Sequence, residues 1–288
     1  MQTIGISISR DRICAVALEG SPSGPRVLAS VSVPCGEPFG GAAADAAALS
    51  QALREALPGV PLPGAVPPPP PPITFLRAMT LPVTDLPRAR AIHLSELEGN
   101  LPIEDEEILS DLLPAPQEGS GVFFAVAARR SFVESASKHF GAAGIRVDRV
   151  VTDPVALLLL APEDAGGPRD GIYLSTFNDV LLLRVSGGGV TAARQFPRTM
   201  AERPEEILGA VREAAGEAGS APLAVFLIGE TPAPLAGAIP GAEQIPLPEG
   251  VPPAHLAAYG AALAPLRPDV GGGFSLRTSA EAALDRER

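Results

Sequence analysis

The pattern at the beginning of the chain does most to limit the folds that it can adopt. Apolar and polar side chains alternate from Thr3 to Leu18 around the turn Ser9-Arg10-Asp11-Arg12, which is typical of a β-hairpin with one buried face. A third run, Arg26 to Val33, continues this pattern, and the Ala-rich segment Ala42 to Leu57 has leucines at helical spacing before Pro58. Three strands followed by a helix predict the start of an α/β domain.

Six consecutive prolines, Pro67 to Pro72, come next. Proline has no backbone N–H and a fixed φ, so the run cannot lie inside a helix or a central strand. It can be a ligand for a proline-recognising domain or a stiff loop. We favour a loop before a predicted strand at Ile73 to Leu81, because extended proline-rich segments commonly act as semi-rigid spacers.

The size and charge of the chain exclude several classes of function. Its 288 residues are enough for two lobes, while a formal net charge of −11 without a basic cluster argues against a nucleic-acid ligand. Cys14 and Cys35 have no CxxC spacing, so we expect inert side chains in a reducing compartment. The N-terminus has no signal-peptide pattern. The longest apolar stretch, Val155 to Ala161, is far below the roughly 20 residues of a membrane span.

The middle of the chain predicts a small α+β insert. The helix Arg88 to Gly99 is followed by strands at Ile108 to Leu113 and Val122 to Ala128, a helix at Ser131 to Ala143 and a strand at Ile145 to Val151. Together with the preceding strand, this order is typical of a compact α+β unit.

The rest of the chain predicts a hinge and a second lobe. Asp153-Pro154 begins an apolar helix, and Gly171 to Leu183 with Val190 to Phe196 predict a hairpin around three glycines. Further predicted elements are a helix at Pro204 to Ala218, a strand at Leu223 to Ile228, a helix at Pro232 to Ala238 and a helix at His255 to Leu266. We therefore divide the chain into a first lobe (1–79 and 253–277), the insert (80–152), a hinge helix and joint (153–167), a second lobe (168–252) and a flexible tail (278–288).

Three stretches, together with the order of the elements, resemble the PilM/GspL group of actin-like proteins. The most specific runs from Leu81-Pro82 through an acidic helix to Leu101-Pro102-Ile103 and the short strand Ile108 to Asp111. The second comprises Phe123 to Arg130, Ala142 to Ile145 and Val151 to Leu157, and the third comprises His255 to Leu263 and Phe274 to Arg277. The resemblance extends to residue 277, but over the first 70 residues it rests on pattern more than on letters.

This resemblance implies a two-lobed α/β fold of the actin-like, RNase H-like kind. It also implies a place on the cytoplasmic face of the bacterial inner membrane, in the assembly platform of a type IV pilus or a type II secretion system. The partners implied are an assembly ATPase of the GspE/PilB type and a membrane protein of the PilN/GspM type. In GspL-type relatives the last matched segment leads into a membrane helix, so a membrane span is expected to follow in the full-length protein.

Actin-like ATPases hold phosphate with two hairpin turns, each with an Asp that holds the metal and a Gly that lets the backbone approach. The resemblance places Ser7 and Ser9 at these positions of the first turn, and Ser175 and Phe177 at those of the second. On the adenosine side, Gly229-Glu230 stands where a second glycine is expected.

These substitutions indicate a lost nucleotide site, so we expect no cofactor, no metal and no catalytic residue. Asp11 and Asp179 lie near the two turns and are the alternative metal ligands. His93, His139 and His255 have no HxxxH spacing, and we expect surface or capping roles for them.

An acidic, proline-bounded stretch on the insert is the candidate partner surface. It comprises Glu96, Glu98, Leu101, Pro102 and Glu104. Such a charge run is commonly a solvated face, and its functional alternative is a docking surface for a basic partner segment.

The sequence thus favours a non-catalytic scaffold. The alternative is an ATP-binding actin-like ATPase of the PilM/FtsA type, and a sugar or acetate kinase would need a catalytic acid that nothing in the sequence marks. The choice between pilus and secretion system and the presence of a homodimer stay open.

Overall fold

A computed structural model describes residues 1–20, 24–36, 43–59, 65–66, 74–97, 108–113, 121–164, 167–216, 223–271 and 273–276. The strands are β1 (Gln2–Ile8), β2 (Arg12–Glu19), β3 (Arg26–Pro34), β4 (Ala65–Val66), β5 (Thr74–Thr80), β6 (Ile108–Leu113), β7 (Val122–Arg129), β8 (Glu163–Asp164), β9 (Gly167–Pro168), β10 (Gly171–Ser175), β11 (Val180–Ser186), β12 (Gly189–Phe196), β13 (Val225–Ile228) and β14 (Glu243–Gln244). The α-helices are α1 (Ala43–Ala56), α2 (Leu86–Leu97), α3 (Arg130–Ala142), α4 (Asp153–Leu160), α5 (Glu205–Gly216), α6 (Ala233–Gly237), α7 (Leu256–Leu263) and α8 (Pro268–Gly271), with 3₁₀ turns at Arg198–Glu202 and Pro253–His255.

Three larger sheets organise the described residues. The first-lobe sheet has the order β3-β2-β1-β4 and the second-lobe sheet the order β12-β11-β10-β13-β14. In both, an antiparallel meander is joined by a parallel strand, β4 beside β1 and β13 beside β10. The insert sheet, β5-β7-β6, is antiparallel throughout. It includes β5, which the sequence boundaries assign to the first lobe.

Strand β1 is buried on both faces, not on one as the hairpin pattern predicts. Ile4, Ile6 and Ile8 pack in a core cluster with side chains of α1 and α3. The opposite face lies against α7: Thr3 Oγ1 donates a 2.8 Å hydrogen bond to the carbonyl oxygen of Ala262. A helix from the far end of the chain therefore covers a face that the local pattern left to solvent.

Helices α4 and α7 form the centre of the molecule. Residues 154–159 of α4 and every residue of α7 are buried. The two backbones lie very close, because a Cβ atom at Gly260 would be 2.5 Å from the carbonyl oxygen of Ala156. One core cluster joins these helices to all three sheets through side chains such as Val16 of β2, Phe124 of β7 and Tyr173 of β10.

The structure corrects two predicted strands. Gly171 to Leu183 is two strands, because the chain turns between Ser175 and Val180, and the glycines at 187 and 188 make a second turn with positive φ. Ile145 to Val151 forms no ladder beyond an isolated bridge at residue 147. This segment instead packs as an extended core segment, and its Val150 carbonyl accepts a 2.9 Å hydrogen bond from the Leu276 N–H.

Two histidines are buried, contrary to the surface or capping roles expected of them. His93 is 3% exposed on the inner face of α2, and His255 is 6% exposed with Nδ1 2.6 Å from Ser30 Oγ. Burial lowers the pKa of both imidazoles. Cys14 and Cys35 are free thiols, as expected. The proline run Pro67 to Pro72 lies outside the described residues.

Candidate functional site

The turn between β1 and β2 is held by its own side chains. Ser9 Oγ lies 2.9 Å from the Arg12 carbonyl oxygen and 3.1 Å from Asp11 Oδ1, and Arg12 Nη2 donates to Asp11 Oδ2 at 3.0 Å. The hydrogen bond from Arg12 holds the pKa of Asp11 below its usual value. Asp11, one of the two alternative metal ligands, is thus ionised but already paired with a cation.

Ser7 lies inside strand β1 and not in the turn itself. It is 5% exposed and stands opposite Cys14 in the β1–β2 ladder. Burial raises the pKa of the Cys14 thiol to about 11, while a hydrogen bond with Ser7 acts in the opposite direction. Ser7 therefore places a neutral hydroxyl beside a protonated thiol, and neither group supplies the negative charge that a metal ion needs.

The turn after β10 brings together the predicted residues of the second lobe. Ser175 is fully buried, and its Oγ has no hydrogen-bond partner among the described residues. Thr176 Oγ1 donates a 2.7 Å hydrogen bond to the backbone carbonyl of Glu230. Gly229 has φ +91°, and a Cβ atom there would lie 3.8 Å from Cε1 of Phe177. The Phe177 ring thus lies against the loop that follows β13.

Asn178 connects the turn after β10 with β1 and α4. Its Nδ2 lies 3.4 Å from the Ile8 carbonyl at the end of β1 and 3.2 Å from Asp153 Oδ2 at the start of α4. Neither Asn178 nor Asp153 is among the site residues predicted from the sequence. Their signal in sequence is weak, because Asp153-Pro154 is an ordinary helix start and Asn is common in turns.

The surroundings of the Asp153 side chain favour its uncharged form. Its carboxylate is buried, and Oδ1 has no hydrogen-bond partner among the described residues. Burial raises the pKa of Asp153 to about 7; Asn178 opposes this shift with its hydrogen bond, and the charge of Asp179 adds to it. Near neutral pH the carboxyl group therefore exchanges between its neutral and charged forms.

A small cavity remains between the turn after β10 and the start of α4. Asp153, Ser175, Phe177, Asp179 and Gln195 enclose it, and its volume is about 10 Å³, which is enough for one water molecule at most. Asp179 accepts a 2.9 Å hydrogen bond from Gln195 Nε2. Within the described part of the chain, no three His, Cys, Asp or Glu side chains are grouped as they would be to hold a metal ion.

The candidate partner surface begins on α2. Leu94 is 49% exposed, one of few large apolar side chains so exposed among the described residues, and Glu96 is exposed two residues further along the helix. Arg90, one turn before Leu94, holds α2 through a bidentate pair with Asp111, at 2.6 and 3.1 Å. The predicted contact residues Glu98, Leu101, Pro102 and Glu104 lie outside the described residues.

Comparison with known proteins finds likeness in structure and not in sequence. No family model and no curated protein sequence matches the chain. The structure is similar to that of a PilM-PilN type IV pilus biogenesis complex, with a TM-score of 0.67 and 19% identity over 92% of this chain and 98% of that one. It is also similar to the cytoplasmic domain of EpsL, an inner-membrane component of the Vibrio cholerae type II secretion system. That match has a TM-score of 0.60 and 14% identity, and covers 97% of this chain and 99% of that one.

Both matches extend over nearly the whole of each chain, so they include both lobes and the insert. In the described residues there is no helix of the length and hydropathy that a bilayer crossing requires. The chain has an actin-like α/β fold, and its likeness to PilM and to the EpsL cytoplasmic domain bears out, for the fold, the resemblance found in the sequence.

Proposed function

We propose that this chain is a non-catalytic scaffold in the inner-membrane assembly platform of a type IV pilus or type II secretion system. The observation that carries the proposal is the way in which the turn after β10, where an actin-like ATPase would hold phosphate, is filled by its own side chains. The Phe177 ring lies against Gly229, and the cavity beside Ser175 measures about 10 Å³. An actin-like fold whose phosphate turn is filled in this way can still bind other proteins through its surface.

The chemistry of the turns supports the same conclusion. Phosphoryl transfer needs a metal ion and fixed donors to stabilise the charge on the transferred group, and carboxylates are the ligands that Mg²⁺ prefers. Ser7 and Ser175 provide only hydroxyl groups at the positions of those carboxylates. Asp153 and Asp179 remain close by, but one has a raised pKa and the other is bonded to Gln195.

The proposed partners are a membrane protein of the PilN/GspM type and an assembly ATPase of the GspE/PilB type. The first is supported by the similar structure, which is described as a complex of PilM with PilN. The second rests on the sequence resemblance. We place the chain on the cytoplasmic face of the inner membrane, in line with the EpsL cytoplasmic domain. Whether two copies associate is a separate question for light scattering.

The proposed docking surface is α2 with the acidic stretch that follows it. Leu94 offers an exposed apolar anchor, and Glu96 adds an exposed negative charge two residues along the helix. The Arg90–Asp111 pair fixes the helix to the insert sheet. An apolar anchor beside charged groups is the usual composition of a protein interface, and the acidic charge favours a basic partner segment.

Titration with Mg-ATP tests the scaffold proposal directly. We expect no saturable heat in calorimetry and no rise in melting temperature, because a ligand that binds the folded state must stabilise it. An actin-like ATPase of known activity, measured in parallel, shows that the assay detects binding. Clear stabilisation by Mg-ATP that is lost in Asp153→Asn or Asp179→Asn would instead establish the ATPase alternative.

A further inference from the structure

A second, larger cavity lies along the central helices α4 and α7. It has a volume of about 320 Å³, which is within the range of small-molecule sites. Its apolar walls come from the end of α4, from α7 and from the segment Ile245 to Pro248. None of the residues that enclose the small cavity beside Ser175 lines it.

The wall contributed by α7 carries a free hydroxyl donor. Tyr259 is 8% exposed, and no described residue accepts a hydrogen bond from its hydroxyl group. A buried tyrosine hydroxyl usually has a partner. Burial raises the pKa of Tyr259, and the nearby charge of Arg267 opposes the shift. The hydroxyl group is therefore protonated at neutral pH and can donate.

A guanidinium group lies beside this hydroxyl. The Arg267 side chain is 12% exposed; it donates to the Leu159 carbonyl at the end of α4 and is paired with Glu163. The carboxylate of Glu163 is half exposed. Because Glu163 already faces solvent, the carboxylate of a ligand can take its place on Arg267 without leaving a buried charge unpaired.

We propose that this cavity binds an aliphatic carboxylate of medium chain length. The carboxylate accepts hydrogen bonds from Tyr259 and Arg267, two donors that line the same cavity beside Glu163 and mostly aliphatic residues, and charge-assisted bonds of this kind are the stronger ones. The hydrocarbon chain lies against Leu160, Ile245 and Leu263 and extends toward Leu247, which is 42% exposed at the rim. A carboxylate fits better than a cation, because both groups can donate and the carboxylate of Glu163 is already paired with Arg267.

The experiment is calorimetric titration of the full chain with decanoate below its micelle-forming concentration, with decanol as the matched neutral ligand. Tyr259→Phe removes one donor without changing the shape of the wall, and we expect it to weaken decanoate binding about fivefold, as for one hydrogen bond. Glu163→Gln removes the competing carboxylate, and we expect it to strengthen binding by roughly two- to fivefold. Glu163→Gln leaves decanol affinity the same, and Tyr259→Phe weakens decanol less than decanoate, because the hydrogen bond to a neutral oxygen is the weaker one.

The proposal is overturned by any of three results. The first is the absence of saturable decanoate binding to a chain that melts cooperatively. The second is equal affinity for decanoate and decanol, which indicates a purely apolar site. The third is decanoate affinity that neither substitution alters, which places the ligand elsewhere on the molecule. Melting temperature of each variant without ligand separates loss of binding from loss of folding.

Discussion

At the scale of single residues, the buried carboxyl group of Asp153 ties the stability of the protein to pH. Its pKa is about 7 in the folded state, against 3.8 for an ordinary Asp. Between these values the folded protein binds more protons than the unfolded chain, so the free energy of unfolding falls as pH rises. Well below pH 3.8 and well above pH 7, this group causes no further change in the free energy of unfolding.

Replacing Asp153 with Asn removes that dependence while keeping a similar shape. We expect the wild type to lose about 2 kcal/mol relative to Asp153→Asn between pH 5 and pH 8, since each unit of pKa shift corresponds to about 1.4 kcal/mol. Urea unfolding of both proteins at the two pH values measures this, because other titrating groups cancel in the comparison. Parallel pH profiles would mean that the Asp153 carboxyl has an ordinary pKa.

Gly5 is the residue at which helix α7 comes closest to β1. A Cβ atom there would lie 1.8 Å from the Ala258 carbonyl oxygen, so Gly5→Ala must displace the helix. Overpacking in a core typically costs 1–3 kcal/mol, at times more, and we expect a loss of about 3 kcal/mol in urea unfolding. Gly209→Ala on α5 is the control: nothing lies within 4 Å of its Cβ position, and alanine favours a helix. Equal effects of the two changes would contradict the close packing.

The residues of the candidate site were only partly accessible to sequence reasoning. Ser175, Phe177 and Glu230 could be predicted as site positions because each departs from a short motif whose chemistry is understood. Asn178 was not found, because its two contacts depend on where the end of β1 and the start of α4 lie in space. A local sequence pattern shows which residue of a motif has been replaced. It carries no information about contacts with residues that are distant in the chain.

At the scale of elements, α2 is where the scaffold proposal can be tested by substitution. We expect Glu96→Lys with Glu98→Lys to weaken binding to the same organism's PilN- or GspM-type protein or assembly ATPase at least tenfold, because both charges change sign on the proposed docking surface. The melting temperature should hardly change, since surface substitutions usually cost little. Calorimetry with the purified partner measures the affinity.

The matched control for that test changes two acids elsewhere. Glu55 and Glu249 are exposed, and their change to Lys alters the net charge by the same amount. If the control pair weakens binding as much as the α2 pair, the effect comes from overall charge and not from a docking surface. Unaltered affinity in the α2 pair removes this surface from consideration.

The sequence predicts an element correctly where local chemistry determines its structure. It fails where packing against distant residues determines the structure. The helix α4 begins at Asp153 as expected, because an acidic residue followed by proline is a local start signal. Residues 145–151 have the apolar character of a strand, yet they form no ladder. Their Val150 backbone pairs with Leu276 and Ser275 near the far end of the described chain, and no pattern within the segment predicts that.

At the scale of the whole molecule, the fold is closed by parts that are far apart along the chain. Thr3 is bonded to Ala262, and Val150 to Leu276. Contacts of such large sequence separation slow folding, because the chain loses much entropy before they form. The first-lobe sheet therefore needs α7 to cover one of its faces.

A chain ending at residue 250 tests this dependence. It lacks α7, so the inner faces of β1 and β2 lose their cover, and we expect no cooperative unfolding transition and association of the exposed sheet. Circular dichroism during thermal unfolding, together with light scattering, measures both effects. Adding back residues 251–276 as a separate peptide provides the control, because it should restore a cooperative transition. A truncated chain that unfolds cooperatively alone would show that β1 and β2 need no cover.

Because α7 covers β1, one face of β1 stays exposed during synthesis until the ribosome has made α7. The ribosome makes β1 among the first residues and α7 more than 200 residues later, an interval of roughly 10 to 50 seconds at typical bacterial rates. Throughout that interval, the face of the first hairpin that α7 will cover, which includes Val16 and Leu18 of β2, has no cover from this helix. Holding chaperones bind such exposed apolar side chains, so we expect one to bind the nascent chain until α7 leaves the exit tunnel.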